Sequence, residues 1–383
     1  MSTLSHRRCW VEVDGRALRQ NYRVLRSLVP RTTKLLAVVK ANAYGHGLIP
    51  MAKELEVIGA DWFGVANVAE GDALRDAGVK LPILLLSATL PEEMADAVRH
   101  KLALTLSTYD EARRLDAIAR KLRRKATVHF KVDTGMGRLG CWHERACEEF
   151  ARIRRLGGLN IEGICTHFAS ADDNAGLTRE QWDKISPFFA EHPDLLRHAA
   201  NSPAVTRRYG FNADMVRVGL ALYGIAPNPE DQGLGLQPVL AWKSRVTLLQ
   251  EMTRGRTVSY GATYRVSSSR ELHAVVAMGY GDGYFRLHSN ASHMLVRGKR
   301  CPIRGRVTMD QIMIDVTRAP GARVGDEVVA VGSQGGDEIR VRELATQAHT
   351  IPWEILTNIG ARVPRVYKNF KTAKSAGGGS RRA

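Results

Sequence analysis

The stretch Leu35-Leu36-Ala37-Val38-Val39-Lys40-Ala41-Asn42-Ala43-Tyr44-Gly45-His46-Gly47 decides the fold. Its first five residues form a short apolar run that reads as a β-strand, and the run stops at a cation followed by small, polar and Gly residues. Moving outward, the same texture recurs. Short apolar runs lie at 62–66, 83–87, 103–106, 127–132, 161–166, 195–200 and 216–222, which with 35–39 makes eight candidate strands. Between them, apolar residues spaced three and four apart, as in 111–122 and 145–156, predict amphipathic helices. Eight strands alternating with helices over 10–235 point to a closed (β/α)8 barrel of the TIM type. An open doubly wound sheet shares the pattern and stays open at this level.

After a linker punctuated by Pro227, Pro229 and Pro238, the texture changes. Runs at 242–249, 273–278, 312–316 and 327–331 are short, rich in Val and Ile and separated by Gly turns. They predict a mostly antiparallel β domain over 236–367, interrupted by a helix at 341–347. The segment 368–383 carries Lys368, Lys371, Lys374, Arg381 and Arg382 with no acid, and its Gly377-Gly378-Gly379-Ser380 reads as a flexible tail. A chain of 383 residues suits this two-domain division, and 44% hydrophobic with 25% charged residues is ordinary for a soluble globular protein.

No apolar run approaches the ~20 residues of a membrane span, and no apolar segment follows Arg7 and Arg8, so a cytoplasmic location is expected. The five cysteines (Cys9, Cys141, Cys147, Cys165 and Cys301) are scattered without a CxxC pair, which argues against a disulfide framework or a structural zinc site; no metal is expected. The formal charge of +17 raises the question of nucleic acid. Much of it lies in the tail and on helical faces such as 113–124, so no nucleic-acid partner is expected, while anionic small molecules would be attracted.

In a parallel barrel the chemistry sits where the strands end at their C-terminal side. Those ends are rich here: Lys40 to Gly47, Asp133 to Arg138, Thr166-His167, Asn201-Ser202-Pro203, and Arg217-Val218-Gly219-Leu220. Any one alone is an ordinary solvated or salt-bridged group. Five converging on one rim are not. Ser202 before Pro203 reads as an N-cap followed by the first helical residue, a place where a hydroxyl and backbone N–H groups face an anion.

The motifs VVKANAYGHG (38–47), KVDTGMGRLG (131–140), THFASAD (166–172), HAANS (198–202), VRVGLALYG (216–224), VSYGATY (258–264), GYGDG (279–283) and MDQ (309–311) resemble those of the alanine racemases, a family of fold-type III pyridoxal-phosphate enzymes. The resemblance runs from Trp10 to Arg365. It implies pyridoxal 5′-phosphate as cofactor, carried covalently by Lys40, and an activity that interconverts L- and D-alanine with D-alanine supplied to peptidoglycan. Tyr44, Asn201, Ser202, Gly219 and Leu220 match cofactor-binding positions. Arg217 matches the residue facing the pyridine nitrogen, where an arginine donates without giving up its proton, and His167 matches the residue that orients it.

Inversion at Cα needs an acid/base on each face. The resemblance assigns these to Lys40 and to Tyr260 of the partner subunit, hence a homodimer with shared active sites. Arg138 and Met309 match substrate-binding positions; Lys131, carbamylated in some members, matches a support for Arg138. Tyr280 and Asp310 match partner-subunit residues at the substrate entrance. One departure stands out: a tyrosine that contacts the phosphate in some members is here Ala361, just before Arg362-Val363-Pro364-Arg365. That leaves a broader substrate range, serine or larger side chains, as the alternative.

Three other readings compete. Gly135-Met136-Gly137-Arg138-Leu139-Gly140 fits GxGxxG, but no acidic residue closes a following strand as a dinucleotide site requires. A related decarboxylase would pair an acid with the pyridine nitrogen, which Arg217 opposes. A non-catalytic cofactor-binding relative would be expected to lack the β domain that carries Tyr260.

Overall fold

The computed structural model describes residues 7–211, 213–228 and 233–371. The chain divides into two compact units, one built on 16–43 and 47–237 and the other on the N-terminal residues up to 15, 44–46 and 238–370.

In the first unit the strands Lys34–Val38, Trp62–Val65, Ile83–Leu85, Ala103–Leu106, Ala126–Asp133, Leu159–Cys165, Leu196–His198 and Met215–Val218 each pair in parallel with the next. The last pairs with the first, Val216 opposite Leu35, so the sheet closes into the expected (β/α)8 barrel and the open alternative falls. Burial explains the legibility of these strands. Trp62–Val65, Ala103–Leu106 and Met215–Val218 are buried at every residue, packed by the barrel interior on one face and helices on the other. The helix Tyr109–Lys121 starts at a capping box, Thr108 with Glu111, and turns Ala112, Leu115 and Ala119 inward.

In the second unit the 14-residue strand Leu240–Thr253 is the spine. Its first seven residues alternate buried and half-buried, the signature of a sheet with one face on a core. It pairs antiparallel with Arg270–Val276 and Glu327–Gln334, and the helix Val341–Gln347 lies where the sequence places it. Two boundaries differ from the sequence reading. Residues 10–14, read as the opening of the barrel, form with Cys9 a strand of this sheet, with Val11 opposite Trp242 and, in parallel, opposite Arg365. Nothing local marks that choice, because six residues that mix apolar and polar side chains fit either unit; long-range pairing and the burial of Trp10, Val11 and Val13 decide it. Lys368, read as the first tail residue, closes the strand Arg365–Lys368 and pairs with Glu12 at 2.7 Å. The rest of the predicted tail from 372 on lies outside the described residues.

Candidate active site

Because the barrel strands are parallel, Lys40, Asp133, Thr166, His167, Asn201, Ser202, Gly219 and Leu220 all follow or end strands at the same rim. The turn after Lys40 is unusual. Ala41 (φ 53, ψ 51), Asn42 (55, 43) and Ala43 (53, 50) are left-handed, as is Tyr44 (φ 50). Left-handed backbone costs an L-residue roughly 1–2 kcal/mol, so four in a row persist only where the surroundings hold them. Glu70 does much of that work: its Oε1 accepts the N–H of Ala41 at 2.6 Å and of Asn42 at 3.4 Å, while Oε2 accepts that of Ala66. Asn42 in turn accepts the N–H of Leu48 on its side chain and of Gly47 on its carbonyl. This turn fixes where Lys40 emerges. Burial, then the positive charge of Arg138, push the Lys40 amine below the ordinary lysine range, with Glu70 opposing. The sequence reading missed Glu70, which on local pattern is only an acid in the first turn of the helix Val68–Asp76.

Arg217 is the most constrained group at the rim. Its Nη1 donates to His198 Nδ1 at 2.7 Å, and its Nη2 lies 2.8 Å from the Thr166 carbonyl, 3.0 Å from that of Ala199 and 3.1 Å from His167 Nδ1. His167 and His198 are held well below the usual imidazole range by burial and then by Arg217, so both serve as neutral acceptors. His198 stands in the HAANS motif without a role assigned from sequence; only its position beside Arg217 gives it one.

One sequence expectation is corrected at Ser202. The N-cap of the short helix Ser202–Thr206 is Asn201, whose side chain accepts the N–H of Ala204. The Ser202 Oγ instead accepts the N–H of Gly219 at 2.8 Å, tying two strand ends together and leaving its own proton for another acceptor. Asn and Ser are both good N-caps, so local sequence could not rank them.

The glycine-rich segment after Ala126–Asp133 wraps an internal anion. The Asp133 carboxylate accepts the N–H of Gly135, Met136 and Arg138. Burial raises its pKa, but these amides outweigh that and keep it below the ordinary value. A carboxylate thus sits where a dinucleotide loop would cradle a phosphate, which accounts for the GxGxxG match without a nucleotide. Gly140 must be glycine, since at φ +128 a Cβ would lie 2.7 Å from the Asp133 nitrogen. Arg138 emerges exposed from this loop, while Lys131 is 7% exposed, its amine lowered by burial and by Arg217 and Arg138 against Cys165 and Asp133.

The sheet unit holds the remaining candidates. Tyr44 is buried, its hydroxyl pushed up to about 12 by burial although Trp353 hydrogen-bonds it. Tyr260 sits on a short turn after Ser259 (φ 63) and is 70% exposed. Tyr280, Met309 and Asp310 come together: Tyr280 N–H reaches the Thr308 carbonyl, Gly281 N–H that of Met309, and Arg362 joins Asp310 at 2.7 Å to Asp282 at 2.8 Å. Ala361 is exposed beside them in sequence. Glu271, His273 and Asp315 also cluster, but Tyr264, Ser268 and Arg304 already engage the two carboxylates.

A closed parallel barrel whose rim gathers a lysine of lowered basicity, a buried arginine and neutral imidazoles, in a chain that also carries an antiparallel sheet unit, defines a barrel enzyme. Residues 13–227 match the alanine racemase N-terminal domain and 239–367 the C-terminal domain. The chain belongs to the alanine racemase family. It is 45% identical over 366 residues to the alanine racemase of Methylacidiphilum infernorum, covering 96% of this chain and 94% of that protein. To that of Halothermothrix orenii it is 42% identical, covering 94% and 97%. Among solved structures, alanine racemase from a D-cycloserine-producing Streptomyces lavendulae superposes with a TM-score of 0.89 at 35% identity, covering 94% and 97%. That from Bacillus anthracis with bound L-Ala-P superposes at 0.88 and 33%, covering 96% of each chain. Among the described residues no helix is long and apolar enough to cross a membrane.

Proposed function

We propose that this enzyme racemises alanine in the cytoplasm with pyridoxal 5′-phosphate, using Lys40 on one face of the substrate and Tyr260 of the partner subunit on the other. The observation that carries the reading is the Lys40 amine, placed at the rim by a strained turn and shifted toward its neutral form by burial and Arg138. When bound, the cofactor supplies an electron sink for the pair left at Cα when its proton departs.

The donor set fits that group. The Ser202 hydroxyl proton and the backbone at Gly219 and Leu220, with Asn201 and Tyr44, would hold the phosphate; Gly219 and Ser202 are already tied at 2.8 Å. Arg217 would meet the ring nitrogen as a donor that keeps its own proton, which limits the sink and favours prompt reprotonation over longer-lived chemistry. His167 and His198 hold Arg217 in place. Arg138 presents a forked donor to the substrate carboxylate. The buried, depressed amine of Lys131 is the kind of lysine that can take up carbon dioxide, and the resulting anion would steady Arg138. Lys40 and Tyr260 of the partner subunit remove and return the α-proton. The exposure of Tyr260, Tyr280 and Met309 supports a homodimer in which these residues, with Asp310, serve the other copy's site.

A panel of L-amino acids with chiral analysis of the products tests the activity, and borohydride reduction followed by peptide mapping tests the attachment. D-alanine formation and a label on Lys40 are expected. A colourless protein after reconstitution, or a label elsewhere, would overturn the reading. Ala361 favours a second, broader reading, because the small side chain removes a phosphate contact and opens space; turnover of serine or larger substrates at rates matching alanine would select it.

A further inference from the structure

The hydrogen-bond pattern behind Arg217 continues inward to a residue that the proposed mechanism does not use. His129 and His198 are both fully buried, and His129 Nδ1 lies 2.8 Å from His198 Nε2. A guanidinium has no lone pair to offer, so His198 Nδ1, at 2.7 Å from Arg217 Nη1, must be the acceptor. A neutral His198 then carries its proton on Nε2 and donates it to His129 Nδ1. His129 in turn carries its proton on Nε2, which has no hydrogen-bond partner and points at the Glu162 carboxylate 3.7 Å away. For neutral rings, only this arrangement of protons satisfies both contacts of His198.

We propose that His129 is a positioning residue for Arg217: by accepting the Nε2 proton of His198 it locks His198 in the tautomer whose Nδ1 lone pair holds the guanidinium. Without that acceptor, His198 is free to place its proton on Nδ1, facing Arg217 donor to donor. The surroundings are built for the lock. The edge of Trp62 packs against His129 with ring centroids 5.3 Å apart, and Gly163 leaves room for it, since a Cβ there would come within 2.6 Å of His129 Nδ1. Burial disfavours a charged imidazole at both positions. Arg217 and Lys34 reinforce this at His129 against Glu162, and Arg217 and Lys131 reinforce it at His198. The functional part of the inference rests on Arg217 facing the cofactor ring.

The test uses the holoenzyme labelled with 15N-histidine, His129→Phe, and His129→Asn, whose side-chain oxygen can accept near the place of Nδ1. Two-bond proton–nitrogen correlations should show His198 protonated on Nε2 in the native enzyme and shifted toward Nδ1 in His129→Phe. That variant should lose about tenfold in kcat, equivalent to ~1.4 kcal/mol, with KM nearly unchanged and the cofactor absorbance displaced. His129→Asn should recover most of the turnover and the native absorbance. An Nδ1 proton on native His198, or an Asn variant that falls as far below native turnover as is expected of the Phe variant, would overturn the inference; neither reading needs the Phe variant to fold. A tautomer shift in His129→Phe with unaltered turnover and absorbance would leave the lock standing and instead remove Arg217 from the ring.

Discussion

At the scale of single residues, the rim works by denying charges and fixing protons. Lys40 is moved toward neutrality by burial and by Arg138, so Lys40→Ala should abolish both covalent cofactor attachment and racemisation, read by borohydride trapping and by optical rotation. Tyr260→Phe should keep the cofactor while racemisation falls by roughly 10²–10⁴, the range of one general acid/base; unchanged turnover would remove Tyr260 from the reaction. Buried neutral imidazoles also set the acid limit of the fold. Burial holds His129 and His198 below the ordinary value and brings His288 to about 4. For each, the unfolded chain binds a proton near pH ~6.5 that the folded chain refuses, so stability is complete above that pH and declines as pH falls toward the folded value. The slope is at most ~1.4 kcal/mol per pH unit per histidine. Melting temperatures measured between pH 7.5 and 5 should fall, and a flat profile would contradict this.

At the scale of elements, the left-handed turn 41–44 shows strain placed next to Lys40 and compensated by Glu70, in the first turn of a neighbouring helix. Glu70→Ala leaves the N–H groups of Ala41, Asn42 and Ala66 without their acceptor. The expected cost is about 1–3 kcal/mol in denaturant unfolding, with a larger loss in activity than in stability because Lys40 loses its direction. At Gly45 a Cβ would fall 2.3 Å from the Leu356 carbonyl at φ +77, so Gly45→Ala should destabilise by more than ~2 kcal/mol. A stable, active Gly45→Ala protein would show that this turn tolerates rearrangement. Neither the strain nor its support was legible in the sequence: of Ala-Asn-Ala-Tyr only Asn42 favours left-handed backbone, which does not predict four such residues in a row, and Glu70 is 30 residues away from Lys40. The strands were legible for the opposite reason. Burial on both faces demands continuous apolar runs, which survive in the sequence as an unbroken pattern.

At the scale of the whole molecule, the proposed sharing of active sites between two copies predicts complementation. Lys40→Ala and Tyr260→Phe, each inactive alone, should regain about a quarter of native activity when unfolded and refolded together, because half the dimers are then mixed and each mixed dimer holds one intact site. No recovery would place both groups in one chain or exclude the dimer. The sequence by itself determined the alternation of strands and helices, the change of texture after 235 and the order of the rim motifs, since each follows from local periodicity or from residue types at strand ends. Tertiary structure alone decided that the sheet closes, that residues 9–14 join the second unit, that Asn201 rather than Ser202 caps its helix, that Glu70 stands behind the turn after Lys40, and that His198 and His129 stand behind Arg217. Those outcomes depend on contacts between residues far apart in the chain, and no local pattern carries the energy of a contact whose other half lies tens or hundreds of residues away.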